Sequence, residues 1–351
     1  MALSKIGTDG ISADTAINGF TPTVSNMAGR NLLINGGFNV WQLGTGDRPD
    51  MWRQEPRSGT TVSMERSTDV PAGTNLSYSF RSHALTGTIN GYHFRTAIEL
   101  PSTGNYGMVS AGTKLTLSFW AKKTASAAQT YLNPVIFLAS GMFGGTTSQS
   151  ASPAEGAQTL TNSWQRYVLH YTCPTWTADT GSLTDVNSLV IRLLMGSDNT
   201  TQELYLAGVQ LEYGESDSEF EYRGYADELR NCLRYFWMVY NSATYSNRPL
   251  NIPVIMQANA SSGVGAVLLQ HPVPMRSAPS VTFLNATDSY MNWPASGSVP
   301  VTSGSSIWGQ NNNQYTAYLV NYGSGSAAYV AGSCMVFDLQ GNSVFYLSAE
   351  L

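Results

Sequence analysis

The chain has 351 residues, 42% of them hydrophobic, enough for two domains and a short arm. Only 12% are Asp, Glu, Lys or Arg, about half the usual share for a soluble domain, so hydroxyls and amides must keep the surface wet, as in secreted and virion-surface β proteins rather than cytoplasmic enzymes. A net charge of -5 without any Lys/Arg stripe excludes a phosphate-backbone reader, and no apolar run approaches the ~20 residues that span a bilayer.

Residues 1–28 form a polar, Gly/Thr/Asn-rich arm too poor in apolar side chains for a core of its own. It reads either as a disordered terminus or as a peptide that orders on docking to a larger assembly. The start Met1-Ala2-Leu3-Ser4-Lys5 lacks the apolar core of a secretory signal. From Asn31 the pattern changes. Asn31-Leu32-Leu33-Ile34-Asn35-Gly36-Gly37-Phe38-Asn39-Val40-Trp41 reads as a short apolar strand, a glycine turn and an aromatic-bearing strand.

Period-two segments follow at Leu115–Trp120, Trp164–Tyr171, Ser188–Met195 and Leu204–Glu212, separated by Gly/Ser/Asn/Pro loops. That pattern argues for an antiparallel sandwich over residues 29–223. A helical stripe stands out after Gly224: Leu229, Cys232, Leu233 and Phe236 recur at i, i+3, i+4 and i+7, with Asp227 and Glu228 near the start and Arg230 and Arg234 later. This places a connecting helix within 224–240. It either packs on a neighbouring sheet or meets two copies of itself on a threefold axis.

Residues 241–351 are β-like again but differ in character. They hold five charged side chains (Arg248, Arg276, Asp288, Asp338 and Glu350), no lysine, seven tyrosines and two tryptophans, Trp293 and Trp308. Composition alone marks a second, distal β domain, expected to be sandwich-like.

Titratable and sulfur side chains give no catalytic or metal motif. Cys173, Cys232 and Cys334 are far apart and odd in number, which excludes a disulfide framework or a CxxC site and leaves three small apolar side chains. His83, His93, His170 and His271 are scattered, and His93 and His170 fall in strand-like stretches as packed or surface residues. Glu65, Asp69, Glu99 and Glu203 in the first domain carry no hallmark spacing, and the chain has no Gly-x-Ser-x-Gly, His-Glu-x-x-His or P-loop. No repeat of the kind that builds a long β-helix is present. No motif requires a cofactor.

Three islands resemble a known family. Asn31–Phe38 with Trp41 is similar to the opening of carbohydrate-binding-module-like jelly rolls. Ala207-Gly208-Val209-Gln210-Leu211-Glu212-Tyr213-Gly214, then Phe220-Glu221-Tyr222-Arg223 and Asp227-Glu228-Leu229, resembles the closing strand and exit helix of such modules in bacteriophage tail fibres. Val273–Thr282 with Leu347–Leu351 resembles the C-terminal region of the same fibres. Related fibres carry Ala-Asp-Arg-Trp after the first aromatic strand, where this chain has Gly46-Asp47-Arg48-Pro49-Asp50-Met51-Trp52.

The resemblance implies an all-β homotrimer in the virion tail. Its N-terminal arm would attach to a tail or baseplate adaptor, and its distal domain would bind host surface polysaccharide such as lipopolysaccharide. Such a particle, made in the host cytoplasm and released by lysis, needs no export signal. A structural Ca2+ is common in jelly rolls of this type, though backbone carbonyls contribute its ligands and the sequence does not name them.

Sugar recognition needs flat aromatic faces and neutral hydrogen-bonding groups. Trp308, Gln310, Asn311, Asn312, Asn313, Tyr315, Tyr318 and Tyr322 combine both between strand candidates, and are the expected receptor contacts on a loop near the distal tip. The competing reading is a solvated loop with Trp308 tucked into the core. Two other functions stay open: a glycan depolymerase, which needs a carboxylate pair at roughly 5–9.5 Å, and a structural tail or baseplate protein that reads no receptor.

Overall fold

The computed structural model of the chain describes residues 30–44, 46–56, 61–86, 92–124, 130–141, 147–197, 203–241, 250–259, 264–284, 290–293, 297–307, 312–322, 335–339 and 344–349. The arm at 1–28 lies outside them. The described elements are almost all β, as the sequence reading expects.

The first unit contains β1 (Arg53–Pro56), β2 (Thr61–Ser67), β3 (Ser79–Thr86), β4 (Tyr92–Glu99), β5 (Lys114–Lys123) and β6 (Thr130–Ala139). It continues with the short β7 (Thr147–Ser148) and β8 (Gln158–Thr159), then β9 (Gln165–Thr172), β10 (Ala178–Thr180), β11 (Ser188–Ser197) and β12 (Glu203–Tyr213). One sheet runs β1-β4-β11-β6-β7-β10 with β8 attached to β6, and the other runs β2-β3-β12-β5-β9. The chain switches sheet seven times, from β1 to β2, β3 to β4, β4 to β5, β5 to β6, β8 to β9, β9 to β10 and β11 to β12, the path of a jelly roll.

Alternation makes these strands two-faced. In β5, Leu115, Leu117, Phe119 and Ala121 are buried in the core, while Trp120 and Lys122 are only half-buried on the other face. In β9, Tyr167, Leu169 and Tyr171 point inward between more exposed neighbours. The sheets meet through aromatic rings: Phe80 of β3 stacks on Phe94 of β4 at 4.1 Å, Trp52 stacks on Phe94 at 4.9 Å, and Phe38 lies 5.3 Å from Trp52. Full burial of each such side chain stabilises the fold by on the order of 1.5–3 kcal/mol.

Residues 31–41 correct one expectation, because they form turns and bends instead of two strands. Asn35 and Phe38 have φ of 58° and 55°, values that a strand cannot accommodate. Asn35 holds the turn itself: its Nδ2 donates to Val40 O at 2.8 Å and Asp50 O at 2.9 Å, and its Oδ1 accepts from Val40 N at 3.0 Å. The turn then docks on β12, with Leu32 N donating to Leu211 O and Gly36 O accepting from Val209 N, both at 2.9 Å. The departure at Gly46–Trp52 is absorbed by Met51, whose φ of 67° delivers Trp52 to the core, where its Nε1 donates to Asn35 O at 3.1 Å.

The expected helix is present but shorter. Helix α1 spans Tyr225–Leu233, and the chain then enters β13 (Phe236–Asn241). Phe236 therefore belongs to a strand, although it continues the 3.6-residue period. The run Phe-Trp-Met-Val-Tyr is aromatic and β-branched, and it pairs with the last strand, which overrides the helical pattern. On α1 the buried side chains are Cys232 and, unexpectedly, Glu228.

The distal part contains β14 (Leu250–Asn259), β15 (Val264–Gln270), β16 (Ser280–Leu284) and β17 (Tyr290–Trp293). It ends with β18 (Gly297–Ile307), β19 (Tyr315–Tyr322), β20 (Met335–Leu339) and β21 (Val344–Ser348). Strands β14-β15-β19-β18-β17-β20 close into a barrel, and β13-β21-β16 form a small separate sheet. This differs from the sandwich-like domain expected. Register shifts in β14 against β15 and in β18 against β19 mark bulges that bend the long strands until the sheet meets itself.

One polar junction ties the sandwich to the segments that lead into β13 and β16 of the small sheet. Glu99 at the end of β4 accepts from Arg234 Nε at 3.0 Å, Arg234 Nη2 at 2.9 Å and Tyr235 OH at 2.8 Å, and Arg276 Nε lies 3.6 Å away. Gln42 adds its amide edge, donating to Phe236 O at 2.9 Å and accepting from Met238 N at 3.0 Å. No helix among the described residues is long and apolar enough to cross a membrane.

Candidate functional site

The sequence-predicted contact residues divide three ways. Trp308, Gln310 and Asn311 lie outside the described residues. Tyr318 and Tyr322 occupy β19 of the barrel, paired in register with Ile307 and Val301 of β18; their side chains are not described. Asn312, Asn313 and Tyr315 form a turn at the start of β19. Asn312 Oδ1 accepts from Gln314 N at 2.8 Å and Tyr315 N at 3.0 Å, so its carbonyl is committed to the turn. Asn313 and Gln314 are exposed, and Tyr315 is half-buried.

The turn packs against His271, which donates its backbone N–H to Gln314 O at 2.9 Å and whose ring meets Asn313 O at 3.0 Å and Thr316 Oγ1 at 2.9 Å. Burial holds the His271 ring below its usual pKa, against the pull of the Asn313 carbonyl. Met275 N also donates to Asn313 O, and its neighbour Arg276 reaches the Glu99 junction. The described half of this loop thus lies one residue contact away from the Glu99 junction.

A different surface offers aromatic faces to solvent. On the outer side of the five-stranded sheet a groove of about 310 Å3 is lined by Gly73, Thr74, Asn75, Leu76, Trp120, Arg166, Glu219, Phe220 and Tyr222. Four segments build it. The 73–76 turn follows β2, Trp120 and Arg166 face outward from the paired strands β5 and β9, and 219–222 crosses after β12. Trp120 and Phe220 are half-buried and Tyr222 is 55% exposed. Arg166 is fixed by Asp217 and Ser218 O, so its guanidinium is a rigid wall rather than a mobile charge. The signal in the sequence is Trp120: an aromatic on the outward position of a strand whose inward positions are all apolar.

Beside the groove the same face carries a dense polar network. Lys122 Nζ lies 5.2 Å from the Trp164 ring and 4.8 Å from the Tyr205 ring, and Trp164 meets Tyr205 edge-on at 6.1 Å. Arg81 pairs with both Glu65 and Glu203. Burial, then Glu203, pushes the Tyr205 phenol up to about 12. Burial opposes ionisation of Asp69, yet hydrogen bonds from Lys122 and Trp164 outweigh it and hold the carboxyl below its usual value. Acids here are spent on structural pairs. Glu99, Glu65, Asp69 and Glu203, considered in the sequence as possible catalysts, all sit in such pairs.

The remaining reactive side chains fit the sequence reading. Cys173 and Cys232 are buried, burial pushing the Cys173 thiol up to about 11, and Cys334 lies outside the described residues. No group of three or more His, Cys, Asp or Glu side chains is placed to hold a metal among the described residues.

No protein-family model matches this chain, and no curated protein matches it. Solved structures do. The enzymatically active domain of tailspike protein 4 from bacteriophage CBA120 is 19% identical, with 52% of this chain and 21% of that chain covered and a TM-score of 0.33. The xylan-binding CBM22-1 domain of Paenibacillus barcinonensis Xyn10C is 16% identical over 54% of this chain and 98% of that chain, with a TM-score of 0.34. TmCBM61, solved with β-1,4-galactotriose, is 13% identical over 53% and 99%, with a TM-score of 0.30. These neighbours are carbohydrate-binding modules and a phage tailspike domain. The chain spans about a fifth of the tailspike structure it matches.

Proposed function

We propose that this chain is a non-catalytic glycan-binding protein, and that it works as a receptor-binding fibre of a bacteriophage tail. The observation that carries the binding reading is Trp120. Its ring stands on an outward, otherwise polar sheet position and shares a groove with Phe220 and Tyr222. Flat rings match the apolar face of a sugar, while Asn75, Thr74 and the fixed Arg166 supply hydrogen bonds to hydroxyls. Glu219 is the one carboxylate lining the groove among the described residues. Glycoside hydrolysis takes two, so the groove supports binding without cleavage.

The fibre reading adds the charge-poor surface and the polar arm at 1–28, which would dock onto a tail or baseplate adaptor. Three copies on one virion would turn weak sugar contacts into avidity. The host polysaccharide is then the partner, engaged outside the cell.

The test is a glycan array carrying bacterial surface polysaccharides, probed with the wild-type chain and with Trp120→Ala and Tyr222→Ala. Binding to at least one glycan, reduced at least tenfold in both variants, supports the proposal. Unchanged binding in both variants, or release of oligosaccharide from the bound glycan, contradicts it.

A further inference from the structure

The opposite face of the sandwich holds a second cavity of different chemistry. It occupies about 240 Å3 on the outer side of the seven-stranded sheet, below the roughly 300–1,000 Å3 of clefts for larger ligands. Its size suits one ring rather than a chain.

Register explains its charge. Arg53 of β1 pairs with Arg95 of β4, and Arg95 pairs with Arg192 of β11. Cross-strand partners share a face, so three guanidiniums stand side by side across adjacent strands. Like charges directly opposite one another destabilise a sheet, so this ladder works against folding. Arg95 and Arg192 line the cavity, and Arg95 is 9% exposed. Burial, then the neighbouring Arg192, pushes the Arg95 guanidinium down to about 10.

The rest of the cavity is not a bare anion hole. Phe137 beneath it is buried, and the Arg192 guanidinium lies over its ring at 5.2 Å, which fixes that cation in place. Its two acids, Glu55 and Asp179, are exposed residues at the rim. Glu55 pairs with Arg95 and lies 3.1 Å from His93 Nδ1, and Asp179 accepts from Gln149 Nε2 at 2.9 Å. Ser150 adds a hydroxyl at 3.5 Å from Arg192 Nη2. Cations lie at the base and hydroxyl-accepting carboxylates at the edge.

We propose that this cavity binds an acidic sugar residue, its carboxylate on Arg95 and Arg192 and its hydroxyls toward Asp179 and Ser150. A planar guanidinium pair matches a carboxylate. The rim acids repel a compact, highly charged anion such as phosphate but accept hydrogen bonds from a polyol. The site is separate from the Trp120 groove and lies on the other sheet.

Saturation-transfer NMR on the full chain tests it, with D-glucuronate, its methyl ester, D-glucose and inorganic phosphate as probes. Saturation of glucuronate at least fivefold stronger than of the ester or glucose is expected, with loss of that signal in Arg192→Gln and retention in Trp120→Ala. Equal signals from glucuronate and ester, no glucuronate signal, persistence in Arg192→Gln, or full displacement by equimolar phosphate would each overturn the proposal. The ester comparison uses the wild-type chain and decides the matter even if Arg192→Gln fails to fold. Loss in Trp120→Ala would assign the signal to the groove instead and also overturn it.

Discussion

Gly36 lies so close to β12 that a Cβ on it would fall 2.0 Å from Val209 O. The backbone on both sides is hydrogen-bonded and cannot retreat, so Gly36→Ala should destabilise the chain by about 2 kcal/mol or more, read from the urea midpoint. Around it, residues far apart in sequence converge. Glu228 accepts from Asn35 N, Glu221 Oε2 accepts from Asn31 N at 2.7 Å, and Arg223 donates to the Leu33 and Asn31 carbonyls. Burial holds Glu228 above its usual 4.5, although Asn35 N–H and Arg223 pull the other way. An acid whose folded pKa is raised keeps its proton longer in the fold than in the unfolded chain. Stability from this group is therefore full below 4.5 and falls as pH rises through the folded value. Glu228→Gln removes that dependence, so its stability relative to wild type should improve between pH 4 and pH 7, as denaturant titrations at the two pH values will show.

At the scale of elements, β5 carries two roles on adjacent residues. Phe119 is fully buried and stacks on Tyr167 at 5.5 Å, whereas Trp120 faces the groove. Phe119→Ala should cost about 3–5 kcal/mol. Trp120→Ala should stay within about 1 kcal/mol of wild type while losing glycan binding, with thermal melts and binding measured on the same preparations. The alternation that separates these roles was legible in the sequence, as were β9, β11 and β12. Other features were not. The Asn31–Phe38 island is apolar enough to read as a strand, but its left-handed Asn35 and Phe38 are set by side-chain hydrogen bonds that no periodicity displays. Phe236 continues the helical period of α1, yet pairing with β21, more than a hundred residues later, decides its conformation. The groove joins four segments that only the folded sheet brings together, and the amide of Asn312 looked available because its use inside a turn is a matter of geometry.

For the whole molecule, the Glu99 junction couples the sandwich to the segments that enter the small three-stranded sheet. One carboxylate serves Arg234, Tyr235 and Arg276, and removing it leaves two cations and a phenol facing each other. Glu99→Gln should split a single calorimetric transition into two, with the distal part melting first, because it loses this polar anchor while the aromatic core of the sandwich is untouched. A trimeric fibre should sediment at the mass of three chains, and a monomer at all concentrations would remove the avidity from the proposal.

If the rings of the five-stranded sheet hold the sugar, affinity must depend on Trp120. Isothermal titration of the strongest array glycan into wild type and Trp120→Ala measures that dependence. Saturable binding to wild type and at least a tenfold loss in the variant are expected; equal affinities for the two proteins would remove the rings from the binding site.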